Sequence, residues 1–150
     1  MKKILLLTLL TYFSILGAYA QSLELYTKDG VKLNNGDTIV SVSTDATADL
    51  VVGMNVTNSG TSTLNVLAKK TELDIVSGSE NYFCWVSCYL PNIFVSPSPF
   101  TIAVNDTIKI FSGDYSSNGN VGTSYIRYTF FSQKNVNDSI AFIVKFIARC

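Results

Sequence analysis

Apolar and polar residues alternate along most of the chain, which is the pattern of strands that bury one face of a sheet. Every second residue from Leu50 to Val56 is apolar, and the segment Thr38–Ser43 alternates in the same way. The segments 124–131 and 139–148 alternate most clearly, and the polar residues between them predict a hairpin. No stretch has a sustained helical period, so the pattern predicts an all-β protein.

Glycine and proline residues divide these segments. Asp29-Gly30 and Asn35-Gly36 supply residues that tolerate positive φ, so they predict two tight turns around a short strand, Val31–Leu33. Three prolines follow the second cysteine, at positions 91, 97 and 99. Because proline donates no ladder hydrogen bond, this segment is predicted to cross from one sheet to the other.

Three further parts of the pattern carry local predictions. The apolar register changes between Ala68 and Leu73, which predicts a bulge or bend near Lys69–Glu72. Ile108 and Ile110 are predicted to share one face of a strand. The glycine-rich segment 112–122 is predicted to be a long loop.

The segments amount to seven to nine strands with frequent turns, which is typical of an immunoglobulin-like antiparallel β-sandwich. A closed barrel is the alternative. There is no internal repeat and no low-complexity tract, so residues 21–150 are predicted to form one domain.

Residues 1–20 have the pattern of a cleaved signal peptide. Lys2 and Lys3 precede an apolar run from Ile4 to Leu16, and Ala18-Tyr19-Ala20 forms a small-x-small cleavage site. The apolar run is shorter than the ~20 residues that span a bilayer. The pattern predicts an exported protein, in the periplasm, at the cell surface or outside the cell, with no membrane span in the mature chain.

Composition limits the chemistry that the chain can perform. Without Lys2 and Lys3 the mature chain has two more acidic than basic side chains, so a nucleic-acid partner is not expected. The sequence contains no histidine, the commonest general base and metal ligand, so neither an enzyme nor a metal or other cofactor is predicted. Glu72 and Asp74 share a strand face, but they are expected to be solvated and paired with Lys69 and Lys70.

The three cysteines predict one intrachain disulfide, between Cys84 and Cys88. An extended chain would separate their Cα atoms by about 13 Å, whereas a disulfide needs less than about 7 Å, so a bridged segment must turn. A redox-active thiol pair is a weaker alternative, since the spacing is C-x3-C. Cys150 is left over and is a candidate for linking two chains.

Aromatic residues surround the cysteine pair. Tyr82, Trp85 and Tyr89 are candidate ligand-binding residues, since exposed rings can stack on sugars or anchor a protein partner. The alternative for Trp85 is that it packs in the core near the disulfide.

Several motifs together are similar to small exported proteins of Bacteroidota. They are Asn81-Tyr82-Phe83-Cys84-Trp85, Cys88-Tyr89, Val95-Ser96-Pro97, Phe111-Ser112-Gly113 and Ile126-Arg127-Tyr128-Thr129-Phe130-Phe131. The resemblance implies an immunoglobulin-like fold and export, with no established activity. Such proteins often carry a C-terminal sorting tail for surface attachment, whereas this sequence ends soon after its last predicted strand.

Three Asp-hydroxyl-Ile triplets resemble the O-glycosylation pattern of exported Bacteroidota proteins. Their hydroxyl residues, Thr38, Thr107 and Ser139, are candidate modification sites. A turn-ending aspartate followed by β-branched residues that start a strand would give the same pattern.

The sequence therefore predicts a non-enzymatic exported module with a binding, accessory or structural role and an unknown protein or glycan partner at the cell surface. A carbohydrate-binding domain that uses the aromatic cysteine loop is the main alternative, and a thiol redox protein is a weaker one.

Overall fold

The computed structural model describes residues 21–150, so the predicted signal peptide lies outside the described part of the chain. The described residues form eleven strands. Eight of them have five or more residues: β1 (Leu23–Thr27), β3 (Thr38–Ser43), β4 (Leu50–Asn58), β5 (Leu64–Asp74), β6 (Glu80–Cys84), β9 (Thr107–Ser116), β10 (Gly122–Ser132) and β11 (Ser139–Ala148). Three are short: β2 (Lys32–Leu33), β7 (Cys88–Tyr89) and β8 (Phe100–Ile102).

The strands form two sheets. Sheet A has the order β2-β1-β4-β9-β6-β7, and sheet B has the order β3-β11-β10-β5-β8. All neighbours pair antiparallel except β3 and β11, which are parallel. This arrangement confirms the all-β sandwich, although the described residues form eleven strands instead of the predicted seven to nine, because three short segments also pair at the sheet edges. No helix within residues 21–150 is long and apolar enough to cross a membrane.

The core lies between the two sheets and is rich in aromatic rings. Phe111 of sheet A packs edge-on against Phe130 of sheet B at 4.9 Å, and Tyr115 stacks on Phe146 at 5.0 Å. All four rings are almost completely buried. Burial of side chains of this size contributes roughly 1.5–3 kcal/mol each, so this cluster is a main source of the sandwich's stability.

Several predicted elements are confirmed. Gly30 and Gly36 have φ values of 85° and 89°, and they flank the short strand β2. Strands β10 and β11 form the predicted hairpin, in which Tyr128 pairs with Phe142. The proline-containing segment crosses from β7 in sheet A to β8 in sheet B.

Strand β9 contains a bulge that the sequence analysis did not predict. Ile108 pairs with Val56 and Phe111 pairs with Met54, so two residues of β9 lie opposite Asn55 alone. The bulge reverses the side-chain alternation. As a result Phe111 is buried, and Ile110, which was predicted to share the face of Ile108, is 47% exposed.

Strand β5 contains the predicted irregularity. Asp74 pairs with Tyr125 and Glu72 pairs with Ile126, so Leu73 is the extra residue. The bulge therefore lies directly after the predicted range 69–72.

The predicted long loop at 112–122 is wrong at its beginning. Strand β9 continues to Ser116, and the loop that joins it to β10 covers only residues 117–121. The Tyr115 ring is fully buried, and its hydroxyl accepts a hydrogen bond from Ser124 Oγ at 2.9 Å. This core packing holds the segment extended despite its glycine and serine content.

The predicted charge pairing is confirmed for Lys70 and Glu72, but the prediction that Lys70 is solvated is wrong. Lys70 is almost completely buried, and its Nζ donates to the main-chain oxygen of Asn81. The same Nζ lies 3.1 Å from the Glu72 carboxylate and 4.8 Å from the centre of the Phe94 ring. Because these groups come from β5, β6 and the crossover segment, the cation joins three parts of the fold.

Candidate binding site at the disulfide corner

Strands β6 and β7 form a short hairpin at one edge of sheet A. Cys84 pairs with Cys88 in the ladder, and the two are joined by the predicted disulfide, with their Cα atoms 3.9 Å apart. The N–H of Trp85 donates to the carbonyl of Ser87 at 3.0 Å, which closes the turn between the strands. We refer to this hairpin and the following residues Leu90 and Pro91 as the disulfide corner.

Trp85 anchors the disulfide corner to the core. It is 1% exposed, its ring centre lies 5.1 Å from that of Phe130, and its Nε1 donates to the carbonyl of Val66 at 2.9 Å. The partners Phe130 and Val66 belong to sheet B, so the side chain crosses the sandwich. Trp85 therefore takes the core role that the sequence left open, and it cannot stack on a ligand at this surface.

The remaining candidate aromatics, Tyr82 and Tyr89, are partly exposed and border a shallow depression. Tyr89 packs against Phe83 with the ring centres 5.2 Å apart, which leaves one side of Tyr89 accessible. The depression has a volume of about 270 Å³ and is lined by Glu80, Tyr82, Cys88, Tyr89, Leu90 and Pro91. The structure thus brings together two of the three predicted ligand-binding residues.

Leu90 is the part of this site that sequence reasoning missed. Its side chain is 72% exposed, although leucine is normally a core residue. The sequence signal was available, because Pro91 donates no ladder hydrogen bond, so a strand is expected to end near it and Leu90 need not follow the alternation.

Acidic side chains lie next to Tyr82 on the outer face of sheet A. Burial raises the pKa of the Tyr82 hydroxyl, and the nearby carboxylates of Asp49 and Asp114 raise it further. Burial also raises the pKa of Asp114, and repulsion from Asp49 acts in the same direction, while a hydrogen bond from Ser112 opposes both. The acidic side chain that lines the depression itself is the exposed Glu80, which can accept hydrogen bonds from a hydroxyl-bearing ligand.

The crossover segment exposes further apolar side chains. Phe94 and Val95 are each at least two-fifths exposed. The segment is fixed to β5 by hydrogen bonds from Lys70 N to the Phe94 carbonyl at 2.9 Å and from Ser96 N to the Ala68 carbonyl at 2.8 Å. These apolar side chains are therefore held on a fixed backbone.

Each of the three candidate glycosylation residues is the first residue of a strand. Thr38 is exposed at the start of β3, whereas Thr107 at the start of β9 and Ser139 at the start of β11 are partly buried. The Thr107 hydroxyl shares a 2.8 Å hydrogen bond with Thr57. Thr38 is thus the most accessible of the three.

Cys150 carries a free, exposed thiol in the structure. Within residues 21–150, no group of three or more cysteine, aspartate and glutamate side chains is arranged to hold a metal ion.

Comparison with known proteins relates the chain to others by fold. No protein-family model and no curated protein sequence matches it. The N-terminal domain of PorA has a TM-score of 0.68 and 19% identity, over 84% of this chain and 96% of that domain. The family 123 glycoside hydrolase from Clostridium perfringens has a TM-score of 0.53 and 15% identity, and the secreted serine protease VesC from Vibrio cholerae has 0.54 and 13%.

The two enzymes match only in part. The two alignments include 85% and 86% of this chain but only 27% and 23% of the enzymes. Each likeness is therefore to one portion of a larger protein. At these identities the matches show a shared β-sandwich fold alone. The resemblance to exported Bacteroidota proteins stays a prediction.

Proposed function

We propose that the chain is a non-enzymatic binding or accessory module that works outside the cytoplasm and contacts a protein partner through the disulfide corner. The observation that carries the proposal is the exposed Leu90 beside Tyr89, on a hairpin that a disulfide and a buried tryptophan hold in place. Aromatic and apolar side chains on a rigid backbone bind with little loss of conformational entropy.

The extracytoplasmic location is supported by the disulfide itself. Structural disulfides persist in oxidising compartments and are rare in the cytosol. The cleavable signal predicted at residues 1–20 is consistent with that compartment. The match to the PorA domain, which extends over 84% of this chain, is consistent with a single β-sandwich module.

The protein contact can be tested by photo-crosslinking in the native host. A photoreactive amino acid replaces Leu90 in one variant and Val136 in a control variant, because both side chains are largely exposed and Val136 lies on the β10–β11 turn. We expect position 90 to form a discrete protein adduct that position 136 does not form. Leu90→Asp should then lower affinity for the captured protein at least tenfold, while Val136→Asp leaves it unchanged. The same adducts from both positions, or none from position 90, would reject the proposal.

A carbohydrate ligand is the second candidate, and Tyr82 beside the exposed Glu80 in the depression favours it. Sugar rings stack on tyrosine while their hydroxyl groups donate to carboxylates. A glycan array probed with the wild type and with Tyr82→Ala tests this candidate. Binding that is lost in the variant, with an unchanged circular dichroism spectrum, would support it, and no binding to any glycan would exclude it.

A further inference from the structure

Three of the four sheet edges are protected against pairing with another strand. The edge strands β2 and β7 have two residues each, and β8 has three. β2 also carries the charged Lys32, Pro91 follows β7, and Pro97 and Pro99 precede β8. Short strands, charges and prolines are the usual devices that keep an edge from adding a strand.

The fourth edge, β3, has none of these devices. It has six residues, Thr38–Ser43, and contains no charged residue and no proline. Val40 is 63% exposed and Val42 is 49% exposed, and both lie on the outer face of sheet B. A strand of this length and composition at an open edge readily pairs with another strand.

The main chain of β3 has free hydrogen-bonding groups along its open edge, on the side away from β11. Its parallel pairing with β11 includes bonds from Ile143 N to the Asp37 carbonyl at 2.8 Å and from Arg149 N to the Ser43 carbonyl at 3.0 Å. Because N–H and C=O groups alternate in direction along a strand, the groups of Thr38, Val40 and Val42 point away from β11. Within residues 21–150, no strand lies on that side.

We propose that β3 pairs antiparallel with β3 of a second copy of this chain, about a two-fold axis at Val40. The outward-pointing residues are spaced so that Val40 lies opposite Val40 of the second copy, and Thr38 lies opposite Val42. Each of these three pairs exchanges two main-chain hydrogen bonds. The contact joins two copies of sheet B into one continuous ten-stranded sheet.

A second copy fits this edge because the edge is complementary to itself. All three facing pairs combine β-branched side chains, which pack well in cross-strand positions, and none brings like charges together. The neighbouring cation, Lys145 on β11, is turned toward the Tyr125 ring at 5.7 Å and away from the edge. A two-fold contact also closes on itself, so it gives a dimer and not a fibre.

This dimer differs from a dimer linked through Cys150. The chain end lies next to Ser43, since Arg149 bonds to that residue. Antiparallel pairing about Val40 therefore places the two Cys150 residues beyond opposite ends of the contact, more than about 20 Å apart, which is beyond disulfide reach.

Sedimentation velocity over a range of protein concentrations tests the proposal on the purified protein. We expect a reversible dimer for the wild type and for Val51→Lys, a control at an exposed valine of sheet A. Val40→Lys and Val40→Glu should each be monomeric, because each places two like charges directly opposite one another. An equimolar mixture of the two variants should dimerise again, because the charges then attract.

Recovery of the dimer in the mixture shows that both variants are folded, and a circular dichroism spectrum of each variant alone verifies this independently. Cross-linking gives a second readout. Val40→Cys with Cys150→Ser should oxidise to a covalent dimer, because facing residues of a hydrogen-bonded pair have Cα atoms about 5.5 Å apart. A wild type that stays monomeric at all concentrations, a dimer that survives Val40→Lys, or a mixture that stays monomeric would each overturn the proposal.

Discussion

At the scale of single residues, the ring of Tyr128 explains why position 113 is a glycine. A Cβ atom at this position would lie 2.5 Å from Cζ of Tyr128, which is closer than side-chain atoms approach in folded proteins. The Tyr128 ring cannot move away easily, because it is buried between Phe111 at 5.2 Å and Phe142 at 5.5 Å. Glycine is therefore required where β9 passes beneath this tyrosine.

We expect Gly113→Ala to lower the free energy of unfolding by about 1–3 kcal/mol, because the added methyl group overpacks the core. Urea unfolding measures the change. In a Tyr128→Leu background the same substitution should cost less, since the shorter side chain leaves room for the methyl group. Equal costs in the two backgrounds would show that Tyr128 is not the cause.

Asp114 is a second residue whose surroundings change its chemistry. Its side chain lies on the outer face of sheet A but is nearly covered, and burial raises its pKa above the ordinary aspartate value of 3.8. The native protein then keeps this proton to a higher pH than the unfolded chain does. Stability should therefore fall as the pH rises from about 3.8 through the raised native pKa.

Asp114→Asn should remove this pH dependence. At pH 7 the variant should be more stable than the wild type, because the neutral amide keeps the hydrogen bond from Ser112 and avoids the burial of a charge. The difference should disappear as the pH falls below about 3.8, where both forms are neutral. Thermal unfolding of both proteins between pH 3 and pH 7 measures it, and a constant difference across that range would contradict the assignment.

At the scale of elements, the β6–β7 hairpin is held by more than its ladder. Its two paired positions are too few to be stable alone. The disulfide closes one side, while Trp85 fixes the turn from within the core and donates to Val66 of β5. The hairpin therefore has one covalent and one packed anchor.

We expect replacement of Cys84 and Cys88 by serine to lower the free energy of unfolding by about 2 kcal/mol, the loop-closure value for so short a loop. The sandwich should persist, since Trp85 still anchors the turn. Hydrogen exchange should rise mainly in β7 and at Leu90, with little change in the β10–β11 hairpin, which serves as the internal control. Global unfolding of the variant would show that the disulfide supports the whole fold.

At the scale of the whole molecule, the two sheets have different exposed features. Sheet A carries the disulfide corner, and sheet B carries the open edge strand β3. The proposed partner contact and the proposed self-association therefore use separate surfaces. A dimer formed through β3 would leave one disulfide corner free on each copy.

Counting alkylated cysteines tests the predicted state of the three thiols. Protein denatured without reductant should take up one alkyl group per chain, at Cys150, and three after reduction. The Cys150→Ser variant should take up no alkyl group before reduction and two after it. No alkylation before reduction, together with twice the chain mass, would instead reveal a dimer linked through Cys150. A further mass excess would reveal covalent modification, for which Thr38 is the most accessible candidate site.

The sequence alone was sufficient where the controlling interactions are local. Alternation along β4, β10 and β11 follows from the two-residue period of a strand, and Gly30 and Gly36 follow from the positive φ of their turns. The Cys84–Cys88 bridge followed in the same way, because only four positions separate the two thiols. Such features need no knowledge of distant partners.

Tertiary structure decided the features that depend on which strands face each other. It buried Lys70 against the Asn81 carbonyl, placed Trp85 in the core and exposed Ile110 through the bulge opposite Asn55. It also made β3 an edge strand, paired parallel to the distant β11. The sequence could not specify these outcomes, because burial and pairing depend on residues that are far apart along the chain. A period of two distinguishes the two faces of a strand, but it does not tell which other strand covers either face.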